Sequence, residues 1–167
     1  MTMSAKRLAA AIGFVAAGFT APAFAEDPSY LVVGAGSWEI FRDAAHAGEF
    51  DIAYRPNTTW WIFKPHVGFV GVTDGDYYGY AGLLTDIPLG QHIVLTPSIA
   101  IGGYGGHGYW LGSHVEFRSG GDIAWRFSDA SRLGLGIYHI SNAGISRRNP
   151  GSESAIVEYS IPLGKLF

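Results

Sequence analysis

The feature that most constrains the fold of this 167-residue chain is a period of two in hydrophobicity, which recurs from residue 30 onward. Apolar side chains occupy every second position over about ten residues at a time, as in Ile93, Leu95, Pro97, Ile99 and Ile101. Successive side chains of a β-strand point to opposite faces of the sheet. The pattern therefore predicts strands that each have one apolar and one polar face.

Turn-forming residues divide this pattern into eight predicted strands. Their predicted spans are 30–42, 48–56, 61–72, 76–87, 91–103, 110–127, 131–142 and 153–166. Pro65, Pro97 and Pro162 lie inside these spans, and each removes one backbone hydrogen-bond donor. We therefore expect strand ends, bulges or kinks at the three prolines.

The distribution of charge indicates which face points inward. The polar face carries charges of both signs together with Gly, Ala and Ser, as expected of the packed polar interior of a small barrel. The apolar face is bulky, and aromatic residues cluster near the predicted strand ends, at Trp60, Trp61, Tyr77, Tyr109 and Trp110. The chain ends in Phe167, which resembles the terminal signature of bacterial outer-membrane barrels. The predicted fold is an all-β, eight-stranded antiparallel transmembrane β-barrel of the outer membrane.

Residues 1–25 read as a secretory signal peptide. Lys6 and Arg7 precede an apolar run from Leu8 to Phe19, and Ala23-Phe24-Ala25 forms a small-x-small cleavage site. The run is about a dozen residues long, shorter than the ~20 that a membrane-spanning helix needs. The remaining residues, 26–167, then form the barrel.

Composition excludes several other classes of protein. The chain has no Cys, so it has neither a disulfide framework nor a thiolate nucleophile. Its formal net charge of −3 gives no basic surface for nucleic acid. None of the six His residues is spaced as a metal-binding pair on one strand face, so we expect no metal and no cofactor.

Three polar residues depart from the apolar face in the last two predicted strands. His139, Ser141 and Glu153 all have the parity of lipid-facing positions. A hairpin that turns near residue 147 would place Glu153 opposite Ser141 and diagonal to His139. A carboxylate that orients an imidazole, which in turn activates a hydroxyl, is the arrangement used in nucleophilic acyl transfer. The alternative, non-catalytic interpretation is that these are solvated side chains at the level of the lipid headgroups.

Barrel topology gives this cluster a position in the membrane. Both termini of an even-stranded outer-membrane barrel lie in the periplasm, so residues 143–152 form the last extracellular loop. His139, Ser141 and Glu153 would then lie at the outer rim, next to the lipopolysaccharide leaflet. An ester of that lipid is the expected substrate.

The stretch Tyr138–Ile145, followed by Arg148-Asn149-Pro150-Gly151 and Glu153, resembles the signature of the PagL family of lipid A 3-O-deacylases. The resemblance is strongest over residues 130–167. It implies removal of the acyl chain ester-linked at position 3 of lipid A in lipopolysaccharide, without a metal or an organic cofactor.

The same resemblance implies roles for individual residues. Ser141 would be the nucleophile, His139 the general base and later the general acid, and Glu153 the residue that orients the imidazole. Oxyanion stabilisation would come from the neighbourhood of Asn142, Gly144 and Asn149, and which of the three donates stays open. By parity the Asn142 side chain should point inward.

Several alternatives stay open at the level of sequence. Arg147 and Arg148 either pair with lipid A phosphates or are solvated loop residues. The chain could be a non-catalytic barrel that serves adhesion or membrane integrity, or a soluble secreted barrel that binds a small ligand. The residues also leave open whether the barrel acts alone or as a homodimer.

Overall fold

The computed structural model describes residues 27–42 and 46–165 of the chain. The predicted signal peptide and the terminal Phe167 lie outside the described residues. The described residues form nine strands, namely β1 (Tyr30–Trp38), β2 (Ala47–Arg55), β3 (Lys64–Val72), β4 (Tyr77–Leu84), β5 (Ile87–Leu89), β6 (Ile93–Gly105), β7 (Val115–Arg126), β8 (Arg132–Ser141) and β9 (Ser152–Pro162). They include a 3-10 turn at Leu163–Lys165, and none of them forms a helix long and apolar enough to span a membrane.

The strands close into an antiparallel barrel. Apart from β4 and β5, strands that are neighbours in the chain pair with each other, and β1 pairs with β9 to complete the ring. β4 and β5 both pair with β6 in one continuous register and count as a single interrupted strand. Eight strand positions therefore surround the barrel axis, which confirms the predicted fold class. Among the described strands, closure pairs both sides of every strand except the three-residue β5, which pairs with β6 alone.

The interruption between β4 and β5 has a cause in β6. Thr85 lies opposite Pro97, and the Thr85 N–H donates to the Pro97 carbonyl at 3.1 Å. Pro97 has no N–H with which to return a bond, so the ladder breaks at this point. Pro65 is the second residue of β3 and Pro162 is the last residue of β9, as expected for proline near strand ends.

Several predicted strands are longer than the observed ones, and two of these differences have a clear local cause. The strand predicted at 30–42 ends at Trp38, because Glu39 has a φ of +58°, which is incompatible with continued extended backbone. The strand predicted at 110–127 begins only at Val115. Residues 110–114 instead belong to the preceding extracellular loop, where Leu111 is fully buried and Gly112 has a φ of +101°.

The faces of the barrel follow the predicted parity. Outward positions carry exposed apolar side chains on every strand, whereas most charged side chains of the same strands are buried inside, with Glu153 of β9 as an exception. Arg118 pairs with Asp51 at 3.0 Å, and Arg55 bridges Asp122 at 3.0 Å and Glu158 at 2.9 Å. These pairs fill the lumen with a connected polar network, which is what a barrel of this diameter requires in place of a channel.

The two ends of the barrel differ in the length of their connections. The connections that follow β1, β3, β6 and β8 all lie at one end of the barrel. The connections that follow β2, β5 and β7 lie at the other end, together with Tyr30 and Pro162. In an outer-membrane barrel the end that holds the termini is periplasmic. Residues 142–151, which follow β8, therefore form an extracellular loop.

Candidate active site

His139 and Glu153 meet on the outside of the barrel near its extracellular rim. His139 lies on β8 and Glu153 on β9, and the two residues are direct cross-strand partners. The His139 Nδ1 and Glu153 Oε1 atoms are 3.0 Å apart. The imidazole is 46% exposed and the carboxylate 28% exposed, so the pair faces the surroundings of the barrel and not its lumen. A hydrogen bond at Nδ1 leaves the Nε2 atom for another partner.

This pairing corrects the predicted hairpin register. Glu153 was expected opposite Ser141, but the strands pair it with His139, two residues closer to the periplasm. The difference arises in the connecting loop, which is folded by internal hydrogen bonds and does not turn symmetrically about residue 147. The correction shortens the distance between carboxylate and imidazole, because direct partners lie closer than diagonal ones.

Ser141 is the last residue of β8 and shares the outward face of His139. Because residues two positions apart on a strand have Cα atoms ~6.6 Å apart, the Ser141 hydroxyl and the His139 imidazole can meet when their side chains lean together. Phe117 on β7 is the cross-strand neighbour of Ser141, and Ser119 is the neighbour of His139. The three predicted site residues thus occupy two adjacent rows of the sheet.

Gly151 lies directly against the imidazole ring. Its φ of +66° is in the left-handed region, which favours glycine. A Cβ atom at this position would lie 2.9 Å from His139 Cε1 and 3.6 Å from His139 Nε2. The absence of a side chain at Gly151 therefore gives the ring its space. The sequence motif contains this glycine, but sequence reasoning assigned it no role.

Asn142 points into the barrel, as its parity predicts, and is fully buried. Its Nδ2 group donates to the carbonyl oxygens of Leu111 at 3.2 Å and Arg148 at 2.8 Å. Its Oδ1 atom accepts a hydrogen bond from the Gly144 N–H at 3.1 Å, which is the geometry of an Asx turn. Asn142 therefore joins two extracellular loops, and its side-chain donors are occupied.

Asn149 completes this loop network. Its Oδ1 atom accepts the Asn142 backbone N–H at 2.9 Å. The N–H groups of Asn142 and Gly144 are thus both engaged within the loop, whereas Asn149 Nδ2 makes no hydrogen bond with any residue that the structure describes. Of the three residues expected to stabilise an oxyanion, Asn149 keeps a side-chain donor available.

Arg42, in the loop after β1, holds the segment that carries Glu153. Its guanidinium donates to the Gly151 carbonyl at 3.0 Å and to the Pro150 carbonyl, and it pairs with Glu39 at 2.8 Å. The Glu39 carboxyl is fully buried, and this burial raises its pKa. Sequence reasoning missed Arg42, because it is more than 100 residues away in the chain from Pro150 and Gly151.

Arg147 and Arg148 are both exposed in the last extracellular loop. The Arg148 guanidinium lies 5.4 Å from the centre of the Tyr109 ring, on which Arg42 also packs at 5.0 Å. Within residues 27–42 and 46–165, no group of three or more His, Asp and Glu side chains is arranged to hold a metal ion.

Comparison with known proteins identifies the family. The family model of the lipid A 3-O-deacylase PagL matches residues 46–162, which is more than half of the chain. The chain belongs to the PagL family. It is therefore a lipid A 3-O-deacylase, an ester hydrolase of the outer membrane, and both the non-catalytic and the soluble alternatives are wrong. No curated protein sequence matches the chain.

Solved structures support the fold of this PagL-family chain. The crystal structure of the outer membrane enzyme PagL is 18% identical, with a TM-score of 0.61, and the match covers 80% of this chain and 99% of that one. The crystal structure of Neisserial surface protein A is 10% identical, with a TM-score of 0.57, and the match covers 80% and 96% of the two chains. At these identities the likeness concerns the barrel architecture alone.

Proposed function

We propose that this PagL-family enzyme hydrolyses the position-3 ester of lipid A through a triad of Ser141, His139 and Glu153. The observation that carries the proposal is the 3.0 Å contact between His139 Nδ1 and Glu153 Oε1 on the lipid-facing side of the rim. That contact fixes the Nδ1–H tautomer and turns Nε2 into a proton acceptor for the hydroxyl two residues further along β8.

The reaction proceeds in two steps. His139 Nε2 takes the proton of Ser141 Oγ as this oxygen attacks the ester carbonyl, and it then gives the proton to the departing sugar oxygen. The acyl chain is left on Ser141. Water, activated by the same imidazole, releases the chain as a carboxylic acid and restores the hydroxyl. Glu153 accepts the Nδ1–H hydrogen bond and stabilises the imidazolium that forms in each step.

Asn149 is the proposed donor to the oxyanion. Its Nδ2 group has no partner among the described residues, and a preorganised amide donor stabilises developing negative charge. Asn142 and Gly144 act indirectly, because their hydrogen bonds hold Asn149 and the loop in place. Arg147 and Arg148 are exposed in the loop after β8, and their guanidinium groups are proposed to pair with lipid A phosphates.

The test compares Ser141→Ala with Ser146→Ala, a matched change in the adjacent loop. Lipid A is incubated with each purified variant and analysed by mass spectrometry. The wild type and Ser146→Ala should lower the lipid mass by one hydroxyacyl group, whereas Ser141→Ala should be slower by about 10³-fold or more. Near-normal activity of a folded Ser141→Ala variant would refute the proposed nucleophile.

A further inference from the structure

Tyr109 lies in the extracellular connection between β6 and β7, and two arginines from other loops pack on its ring. The Arg42 guanidinium is 5.0 Å from the centre of the ring, and the Arg148 guanidinium is 5.4 Å from it. An aromatic ring attracts a guanidinium within about 6 Å of its centre, because the faces of the ring are electron-rich. Tyr109 thereby joins the loop after β1 to the loop after β8.

The two arginines restrain opposite ends of a segment, residues 148–151, that lies beside the candidate imidazole. Arg148 is the first residue of this segment. At its other end, the Arg42 guanidinium donates to the Gly151 carbonyl at 3.0 Å. A Cβ atom at Gly151 would lie 2.9 Å from His139 Cε1. The aromatic ring that both arginines contact is therefore linked to the imidazole through the main chain of this segment.

Hydrogen bonds and packing hold Tyr109 in place independently of the arginines. The Gly108 N–H and the Tyr104 hydroxyl both donate to the buried Asp76 carboxylate, at 2.7 Å and 2.5 Å. The Tyr104 hydroxyl also lies 2.6 Å from the Tyr109 carbonyl oxygen. The Tyr109 ring packs against the buried apolar core of the barrel. Tyr109 is thus a fixed point on which two long side chains are positioned.

The face of the ring, and not its hydroxyl group, makes the connection. The Tyr109 hydroxyl forms no hydrogen bond with any residue in the described ranges. Within the same ranges the Arg148 guanidinium has neither a hydrogen bond nor an ion pair, whereas Arg42 pairs with Glu39 at 2.8 Å. Two positive charges on one ring repel each other, so the attraction of the ring keeps the Arg148 guanidinium there.

We propose that Tyr109 is a positioning residue for deacylation. Its ring restrains Arg42 and Arg148. These two residues in turn restrain residues 148–151, which set the place of the His139 imidazole. The inference rests on the proposed function of His139, and it assigns a role to a loop that carries none of the candidate catalytic side chains.

The test compares two changes at Tyr109 with a matched change elsewhere. Tyr109→Leu removes the ring, whereas Tyr109→Phe removes only the hydroxyl group. Tyr77→Leu is the control, because Tyr77 is half-exposed at the same end of the barrel, at the start of β4. Each purified variant is checked for folding by circular dichroism in detergent micelles. Deacylation of lipid A is then followed by mass spectrometry to give kcat and KM.

The expected result is a loss of kcat that depends on the ring. Tyr109→Leu should lower kcat by about 10-fold or more and leave KM within about 2-fold of wild type, because the imidazole moves while both guanidinium groups remain available to the lipid. Tyr109→Phe and Tyr77→Leu should keep kcat within about 2-fold of wild type, because both variants retain the ring that the arginines contact.

A double-mutant cycle measures whether Tyr109 acts through Arg42. Tyr109→Leu is combined with Arg42→Ala, and kcat is measured for the two single variants and for the double variant. If the ring acts on catalysis by way of Arg42, the double variant should lose less than the product of the two single losses. A tyrosine that only stabilised its own loop would give losses that multiply.

Four results would overturn the inference. They are wild-type kcat in a folded Tyr109→Leu variant, an equal loss in Tyr109→Phe, a loss that appears in KM alone, and single losses that multiply in the double variant. If Tyr109→Leu does not fold, Tyr109→Met, which has a flexible apolar side chain, is judged by the same results. All four leave the proposed function intact, which fails instead if His139→Asn keeps wild-type kcat.

Discussion

Replacing Gly151 with alanine tests whether the loop after β8 sets the position of the imidazole. Gly151 has a φ of +66°, and a left-handed conformation costs a residue with a Cβ atom about 1 kcal/mol. The new Cβ atom would also lie 2.9 Å from His139 Cε1. Two carbon atoms prefer a separation of ~3.5–4.0 Å, so the ring must move by roughly 1 Å.

A displacement of this size has a large effect on catalysis and a small one on folding. A misplacement of about 1 Å costs roughly 10²-fold in rate. We therefore expect Gly151→Ala to lower kcat by about 10²-fold, with KM for lipid A little changed because the substrate-binding surface stays in place. The free energy of unfolding should fall by about 1 kcal/mol.

Gly90→Ala is the matched control for this experiment. Gly90 has a φ of +80° and no atom within 4 Å of the Cβ position, and it lies at the periplasmic end between β5 and β6. This variant should lose about the same stability and keep its activity. Deacylation rates come from mass spectrometry of lipid A, and stability comes from urea unfolding in detergent micelles. Wild-type kcat in Gly151→Ala, or an equal loss in Gly90→Ala, would refute the reasoning.

Two further substitutions separate the outer rim from the lumen. Arg42→Ala removes the hydrogen bonds to the segment before Glu153 and leaves Glu39 buried without its partner, so activity should fall and the free energy of unfolding in urea should fall by about 2 kcal/mol. Arg42→Lys should recover only part of the lost activity and stability. Full activity in Arg42→Ala would contradict the role of this contact. Arg55→Met leaves two lumen carboxylates without their ion-pair partner and should cost about 3–5 kcal/mol in the same assay. The fraction that folds should keep its kcat, because the proposed triad lies outside the barrel. A loss of kcat without a loss of stability would argue against this separation.

Much of the barrel could be predicted from local pattern. The parity of charged and apolar positions gave the facing of every strand, because side-chain direction alternates within a strand whatever its partners are. Interrupted strands were harder to predict. The break at Thr85 depends on Pro97, which lies on a different strand, and the end of β1 depends on the backbone conformation of Glu39.

The candidate site, too, could be predicted only in part from the sequence. Residue types and parity placed His139, Ser141 and Glu153 on one face, but the predicted pairing of Glu153 was wrong by two residues. The error came from the loop, whose path is set by hydrogen bonds of Asn142 to residues 111 and 148. No spacing rule in a single sequence specifies contacts of this kind.

What the sequence by itself determined is therefore the alternation of the strands, the polar lumen and the outward direction of His139, Ser141 and Glu153, all of which follow from geometry within one strand. Only the tertiary structure decided the register of β8 against β9 and the support of Gly151 by Arg42. These features depend on packing between residues that are far apart in the chain, and such packing is settled only when the barrel closes.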